Sequence, residues 1–245
     1  IAIPFSYIAP KSYIDTNIIG TFNICEASRL NYVKQVIHTS TSEVYGTAEY
    51  VPIDESHPLK PQSPYSASKV GADSMALSFY FSYGLPLTIA RPFNVYGPRQ
   101  SARAVIPTII SQLLNNSNQV KLGEVTTTRD FNYVIDTCGA LISMLDKDST
   151  FGKVINIGSG TEISIKDTFD LINQNLGGKG ILLTDENRLR PKNSEVFRLC
   201  CDNKLLKEIT GFTPKYTFEK GIKETIEWMT KANNLKKYKS HIYNV

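Results

Sequence analysis

The sequence predicts an α/β fold with a parallel sheet, and three observations carry the prediction. Strand-like and helix-like stretches alternate almost throughout, the pattern of strands joined by crossover helices. Residues 87–95 are predominantly apolar and lack polar alternation, the pattern expected of a parallel-sheet strand buried on both faces. A chain of 245 residues with 41% hydrophobic and 20% charged side chains can also bury a full core.

In order, the pattern predicts a helix over 12–30 and a strand over 33–41, where Val33-Lys34-Gln35-Val36-Ile37-His38 reads as a buried parallel strand. A helix over 64–83 follows, with Ser63-Pro64 as cap and first turn and Gly84 as its stop. The strand over 87–95 leads to a helix over 104–115, short strands at 120–123 and 131–134, and a helix over 136–146. A strand at 154–158, a helix over 165–176, a strand at 180–184 and an amphipathic helix over 217–232 complete the reading. No internal repeat or low-complexity linker interrupts it.

Composition narrows the function classes. The formal charge of +4 is modest, and a mildly basic surface suits a phosphorylated substrate. The basic run Lys236-Lys237-Tyr238-Lys239 reads as a solvated terminus rather than a nucleic-acid or membrane patch. No stretch approaches the roughly 18 apolar residues a membrane-spanning helix needs, so a cytoplasmic protein is expected. Cys25, Cys138, Cys200 and Cys201 show no Cys-x-x-Cys spacing and read as buried reduced thiols. His38, His57 and His241 form no zinc-type pair, so no metal site is expected, and His38 reads as packed within its strand.

The chemistry concentrates in two segments. Tyr65 and Lys69 in Tyr65-Ser66-Ala67-Ser68-Lys69 lie one helical turn apart on one face. Thr39-Ser40-Thr41-Ser42-Glu43-Val44-Tyr45-Gly46 lies at the carboxyl end of the preceding strand, where ligands bind in open α/β sheets. A free phenol with a pKa of about 10 is a poor base at neutral pH, and a nearby ammonium lowers that value. A Tyr-x-x-x-Lys pair alone is more often a chance pattern on a charged helix face. Joined to the Ser/Thr/Glu cluster, it points to proton transfer from a sugar hydroxyl.

These motifs resemble the extended short-chain dehydrogenases/reductases, the group of nucleotide-sugar epimerases, dehydratases and decarboxylases. The likeness covers nearly the whole chain. It includes Asp15-Thr16-Asn17, Arg91-Pro92-Phe93-Asn94-Val95-Tyr96-Gly97-Pro98-Arg99-Gln100, Thr128-Arg129-Asp130-Phe131-Asn132-Tyr133-Val134 and Asn156-Ile157-Gly158-Ser159-Gly160. The run Gln100-Ser101-Ala102-Arg103-Ala104-Val105-Ile106-Pro107-Thr108 is similar to the N-acetylglucosamine-nucleotide 4,6-dehydratases of legionaminic-acid-type pathways.

The resemblance implies a Rossmann-like parallel sheet in which residues 1–98 are the carboxyl half of an NAD-binding domain. Residues 99–245 would mainly bind the nucleotide sugar, with some elements interleaved into the sheet. It implies NAD as cofactor, held by Asn17, Ser40, Tyr65, Lys69 and Pro92, and a homodimer in the full-length protein. Thr41, Glu43, Tyr65 and Lys69 would be catalytic. Ser42, Asn94, Arg99, Lys121, Arg129, Arg190 and Glu195 would hold the substrate, with Arg129 and Arg190 on the diphosphate and Glu195 on the ribose. The segment Arg190-Pro191-Lys192-Asn193-Ser194-Glu195 is one residue longer than the common Arg-Pro-Gly-Asp form.

Glu43 sharpens the expected reaction. Epimerases need only the tyrosine, the lysine and a Ser/Thr, because oxidation and reduction at one carbon suffice. A carboxylate adds a proton transfer, as in a dehydratase that moves the C5 proton of the 4-keto sugar to the departing C6 hydroxyl. Ser42 stands where dTDP-glucose dehydratases carry aspartate, so the pattern is closer to the Thr-x-Glu of GDP-mannose 4,6-dehydratases, in which one glutamate serves both steps. UDP-glucuronate decarboxylases share Thr-Ser-Glu-Val-Tyr-Gly and need an arginine for the substrate carboxylate, for which Arg99 and Arg103 are available. A 4-epimerase is the other enzymatic alternative, and a ligand-binding relative or inactive fragment the non-enzymatic one. No G-x-x-G-x-x-G turn precedes the first helix, so a chain truncated by about four amino-terminal strands is expected. Gly158-Ser159-Gly160 reads as a turn in the substrate half.

Overall fold

The computed structural model describes residues 3–115, 118–239 and 242–243, and His241 lies outside these residues. The chain starts with helices α1 (Ile3–Ile8) and α2 (Pro10–Tyr13), a π-helical turn at Ile14–Ile19, and α3 (Gly20–Leu30). The helix expected from residue 12 thus begins earlier, and Asp15-Thr16-Asn17 lies in a π turn within the helical stretch. Turns of this kind displace side chains from the regular helical register. Here the Asn17 amide donates to Ser68 Oγ at 2.8 Å.

Strand β1 (Val36–Thr39) is shorter than expected, because Thr41 turns the chain and caps a 3-10 helix at Ser42–Tyr45. Helix α4 (Pro64–Tyr83) has the predicted bounds. Ser63 and Ser66 form a reciprocal capping box, Pro64 supplies the first turn, and Gly84 ends the helix at φ 67° in the left-handed region. The expected strand over 87–95 divides into β2 (Leu87–Pro92) and β3 (Asn94–Tyr96). Phe93 N donates to Ile157 O, whereas Asn94 N donates to Asp130 O, so the backbone changes partners at one residue.

Helix α5 (Val105–Leu114), β4 (Gln119–Leu122), β5 (Thr128–Arg129), β6 (Phe131–Tyr133) and α6 (Val134–Ser143) follow. Then come β7 (Val154–Ile157), β8 (Ile163–Ser164), α7 (Ile165–Asn175) and β9 (Ile181–Thr184). The chain continues through α8 (Lys204–Thr210), which the sequence pattern does not announce, α9 (Phe218–Met229) and α10 (Ala232–Leu235). The central sheet is parallel with order β1-β2-β7, pairing Val36 with Leu87 and Ile89 with Val154. The pairs β3-β6 and β4-β9 are also parallel, and only β5-β8 is antiparallel among the described strands.

One apolar core joins Leu87 and Ile89 of the central sheet to Cys25, Ala76 and Phe79 of α3 and α4. Ala90, Ile155 and Ile157 pack on the opposite side against Ala140, Met144 and Leu206. The largest core, from Tyr96 to Tyr238, includes Ile106, Ile110, Phe169 and Ile222. The sheet is therefore covered on both faces, as a parallel sheet requires. Cys25, Cys200 and Cys201 are buried free thiols, but Cys138 is exposed, against the expectation that all four are buried. Among the described residues, no helix is long and apolar enough to cross a membrane.

Gly46 closes the 3-10 turn at φ 68°, and a Cβ there would run into the Lys60 carbonyl oxygen and the Gln62 side chain. Gly46→Ala is expected to cost at least about 1–3 kcal/mol through backbone strain and this overlap. Urea unfolding measures it, and an unchanged midpoint would contradict the geometry.

Candidate active site

A cleft of about 1120 Å³ opens at the carboxyl ends of β1 and β2, the position the strand order of an α/β sheet favours for ligands. Asn17, Ser40, Thr41, Ser42, Glu43, Tyr65, Lys69, Pro92, Asn94, Arg99, Arg129, Arg190 and Glu195 all line it. Lys121 does not. Strand β4 alternates exposed and buried positions, and Lys121 points to solvent while the next residue, Leu122, faces the cleft.

Thr41 and Tyr65 meet where β1 ends and α4 begins. The Thr41 hydroxyl accepts from Glu43 N at 3.3 Å and acts on the Tyr65 phenol, lowering its pKa. The phenol is pushed up to about 12 by burial, opposed by the Thr41 hydrogen bond and reinforced by the Glu43 carboxylate, Tyr13 and Asp73. The spacing predicts a net lowering by Lys69; the shift is instead upward, with burial its largest cause. Tyr13 packs edge-on against Tyr65 with centroids 6.0 Å apart. The Lys69 ammonium donates to the Thr39 carbonyl at 2.6 Å. Burial lowers its pKa, and the Asp73 carboxylate opposes that shift.

Glu43 is only 7% exposed and belongs to an ion cluster. Arg190 Nη1 lies 3.9 Å from Glu43 Oε2 and 3.5 Å from Glu195 Oε1. Arg129 Nη2 is 3.4 Å from Glu195 Oε1, and burial lowers the Arg129 pKa against the support of both carboxylates. Arg190 Nη1 is buried without a hydrogen bond, so its two carboxylate contacts are ionic and loose. The expected diphosphate and ribose groups therefore adjoin the expected proton-transfer carboxylate in one cleft.

Two residues essential to this geometry escape a reading of the sequence. Asp73 and Arg91 are buried, and Arg91 Nη2 donates to Asp73 Oδ2 at 2.9 Å. The guanidinium also lies over the Tyr45 ring, 4.8 Å from its centroid. The available signal is spacing: Tyr65, Lys69 and Asp73 recur every four residues and share one helix face. His38, read as packed, is largely buried with Nε2 3.1 Å from Asp73 Oδ1.

The Gly158-Ser159-Gly160 turn cradles an anion, but the anion is the chain's own. Ser159 N and Gly160 N donate to the Asp130 carboxylate at 2.8 and 2.9 Å. Cys201 N adds a third backbone donor at 3.1 Å.

The residues present fit a nicotinamide cofactor: a phenol and an ammonium one turn apart share the cleft wall with the Ser40 hydroxyl and the Asn17 amide. Comparison with known proteins gives the same direction. The GDP-mannose 4,6 dehydratase family profile matches residues 1–225. A putative UDP-glucose 4-epimerase of Methanocaldococcus jannaschii is 34% identical over 224 residues, 90% of this chain and 70% of the relative. A dTDP-glucose 4,6-dehydratase of Streptomyces antibioticus is 32% identical over 223 residues, 91% of this chain and 65% of the relative. The chain thus spans about two thirds of the length of these curated relatives. The dTDP-glucose 4,6-dehydratase DesIV of Streptomyces venezuelae, solved with NAD bound, superposes with a TM-score of 0.85 at 27% identity. That match covers 94% of this chain and 70% of DesIV.

Proposed function

Because the chain belongs to the NAD-dependent nucleotide-sugar epimerase/dehydratase family of extended short-chain dehydrogenases/reductases, we propose that the full-length protein is a nucleotide-sugar 4,6-dehydratase. Its substrate is a UDP- or GDP-linked hexose, with N-acetylglucosamine the sugar favoured by the resemblance of residues 100–108. The observation that carries this reading is Glu43, a buried carboxylate in the cleft whose charge acts on the Tyr65 phenol. An epimerase has no use for it.

NAD⁺ supplies the hydride acceptor and a positive charge. Asn17, Ser40, Tyr65, Lys69 and Pro92 hold it. Tyr65 removes the proton of the C4 hydroxyl, while Thr41 hydrogen-bonds O4 and the Lys69 ammonium favours the phenolate. The resulting C4 ketone acidifies the C5 proton. Glu43 takes that proton and returns it to the C6 hydroxyl as water leaves, so one carboxylate acts first as base and then as acid. The hydride taken from C4 would then be returned to C6 and a solvent-derived proton added at C5, which balances the reaction, yields the 4-keto-6-deoxy sugar and would leave the cofactor oxidised. Arg129 and Arg190 hold the diphosphate and Glu195 the ribose, with Ser42, Asn94 and Arg99 on the remaining substrate contacts. Residues 1–98 supply most of the cofactor side, and residues 99–245 most of the substrate side.

Turnover in heavy water tests this reading. With a panel of UDP- and GDP-linked hexoses, the expected product is a 4-keto-6-deoxy sugar carrying deuterium at C5, identified by mass and NMR. Carbon dioxide released from a glucuronate donor, or a C4 epimer without loss of water, would overturn it.

A further inference from the structure

We propose that Asp73 is a positioning residue for the hydride step: it ties the end of β1 to α4, so that the Thr39 carbonyl holds the Lys69 ammonium on the helix face that also carries Tyr65. The proposal rests on the proton-transfer roles given above to Tyr65 and Lys69.

The geometry is a three-way clamp. Asp73 lies on α4 one turn beyond Lys69 and two beyond Tyr65. Its Oδ2 accepts from Ser40 Oγ at 2.6 Å and from Arg91 Nη2 at 2.9 Å, and its Oδ1 lies 3.1 Å from His38 Nε2. His38 and Ser40 are alternate residues at the end of β1, so their side chains share a face. Thr39 lies between them, and its carbonyl accepts from Lys69 Nζ. One buried carboxylate therefore fixes the backbone on both sides of the carbonyl that orients the lysine. A single helix–strand hydrogen bond would leave that segment free to pivot. Arg91, on β2, gives the carboxylate a buried counter-ion that keeps it charged.

The clamp also has an electrostatic consequence. Tyr65 faces Tyr13 of α2, Thr41 and Glu43 of the 3-10 turn, and Lys69 and Asp73 on its own helix. Lys69 faces Thr39 of β1 and Asp73, with His38 and Arg91 reaching it only through Asp73. The Asp73 charge raises both the Tyr65 and the Lys69 pKa. Removing it lowers both. The hydride step needs Tyr65 as phenolate and Lys69 as ammonium, so the rising and the falling limbs of its pH profile both move to lower pH.

The test uses the full-length holoenzyme and reads NADH absorbance in single turnover across pH, with any nucleotide sugar that the wild type oxidises. Asp73→Asn is expected to slow hydride transfer by about 10- to 100-fold, as loss of an orienting partner does elsewhere. KM should change little and both limbs should shift acidward. Asp73→Glu should recover part of the rate and return the profile. A folded Asp73→Asn enzyme with an unshifted profile, or a loss confined to KM, would overturn the proposal. Asp73→Asn/Arg91→Met, which leaves no unpaired buried charge, is read the same way where the single variant fails to fold. NADH formation without dehydration would sink the 4,6-dehydratase reading and leave this assay intact. Without any NADH formation, ¹³Cζ-tyrosine NMR decides, with Tyr65 assigned through Tyr65→Phe: its titration should move to lower pH in Asp73→Asn, and an unmoved titration refutes the proposal.

Discussion

Tyr65→Phe is expected to reduce hydride transfer from the sugar by about 10²–10⁴-fold, the range for losing a positioned proton-transfer group. The ring is retained, so its edge-on contact with Tyr13 survives, and the helix face that carries Lys69 keeps its packing. The change removes the acceptor for the C4 hydroxyl proton, together with the one hydroxyl that Tyr65 offers the cofactor. In wild type the buried phenol sits at about 12, well above neutrality. The Lys69 ammonium and the Thr41 hydrogen bond therefore have to offset burial, and the rate should climb with pH from neutrality upward until Lys69 loses its proton. The phenylalanine variant should lose that climb. Single-turnover NADH absorbance measures the rate, and NAD binding followed by fluorescence confirms that the cleft is intact. A variant within about threefold of wild type would assign the proton to another group.

Glu43→Gln divides the reaction at its second stage. Hydride removal at C4 should continue, because Tyr65, Thr41 and Lys69 are untouched. Loss of water should fall by about 10²–10⁴-fold, and C5 deuterium exchange with it. The substitution keeps the side chain's shape but takes one of the two carboxylates from Arg190, whose Nη1 then faces only Glu195. Nucleotide binding is expected to persist through Arg129 and Arg190. Mass spectrometry of the quenched reaction distinguishes the outcomes: full dehydration would remove Glu43 from the mechanism, whereas NADH formation without water loss places it where we have.

How much of this is legible in the sequence depends on which kind of signal each residue leaves. Helix α4 is readable to its ends because both carry chemistry: Ser63 caps the first turn, and Gly84 takes the left-handed conformation that stops the last. The strand read across 87–95 is mostly apolar, but hydrophobicity does not record partners. The change from Ile157 to Asp130 between Phe93 and Asn94 shows only when the sheets are assembled. Helix α8 spans just Lys204–Thr210, too short for its periodicity to stand out.

Within the cleft, Thr41, Glu43, Tyr65 and Lys69 are legible from spacing. Asp73 becomes so once the same face is followed one turn further. Lys121, expected at the substrate, lies outside the cleft lining, because alternation along a strand says which residues share a face, not which face meets the cleft. Arg91 is visible as the first residue of the Arg91-Pro92-Phe93-Asn94 motif, but its role is not: its partners, Asp73 and Tyr45, lie on other elements.

The pairing of Ile89 with Val154 also has a kinetic side. Between these strands the chain builds β3 through α6, including Ile106, Ile109 and Ile110 of the largest core. Closing so long a loop is entropically costly and slow unless the intervening segment has already condensed. Strand β7 should consequently join the sheet late, after α5 and its neighbours have collapsed. A chain emerging from the ribosome has to keep the β2 edge unpaired until residue 154 has been made, and that interval is when it is most exposed to aggregation.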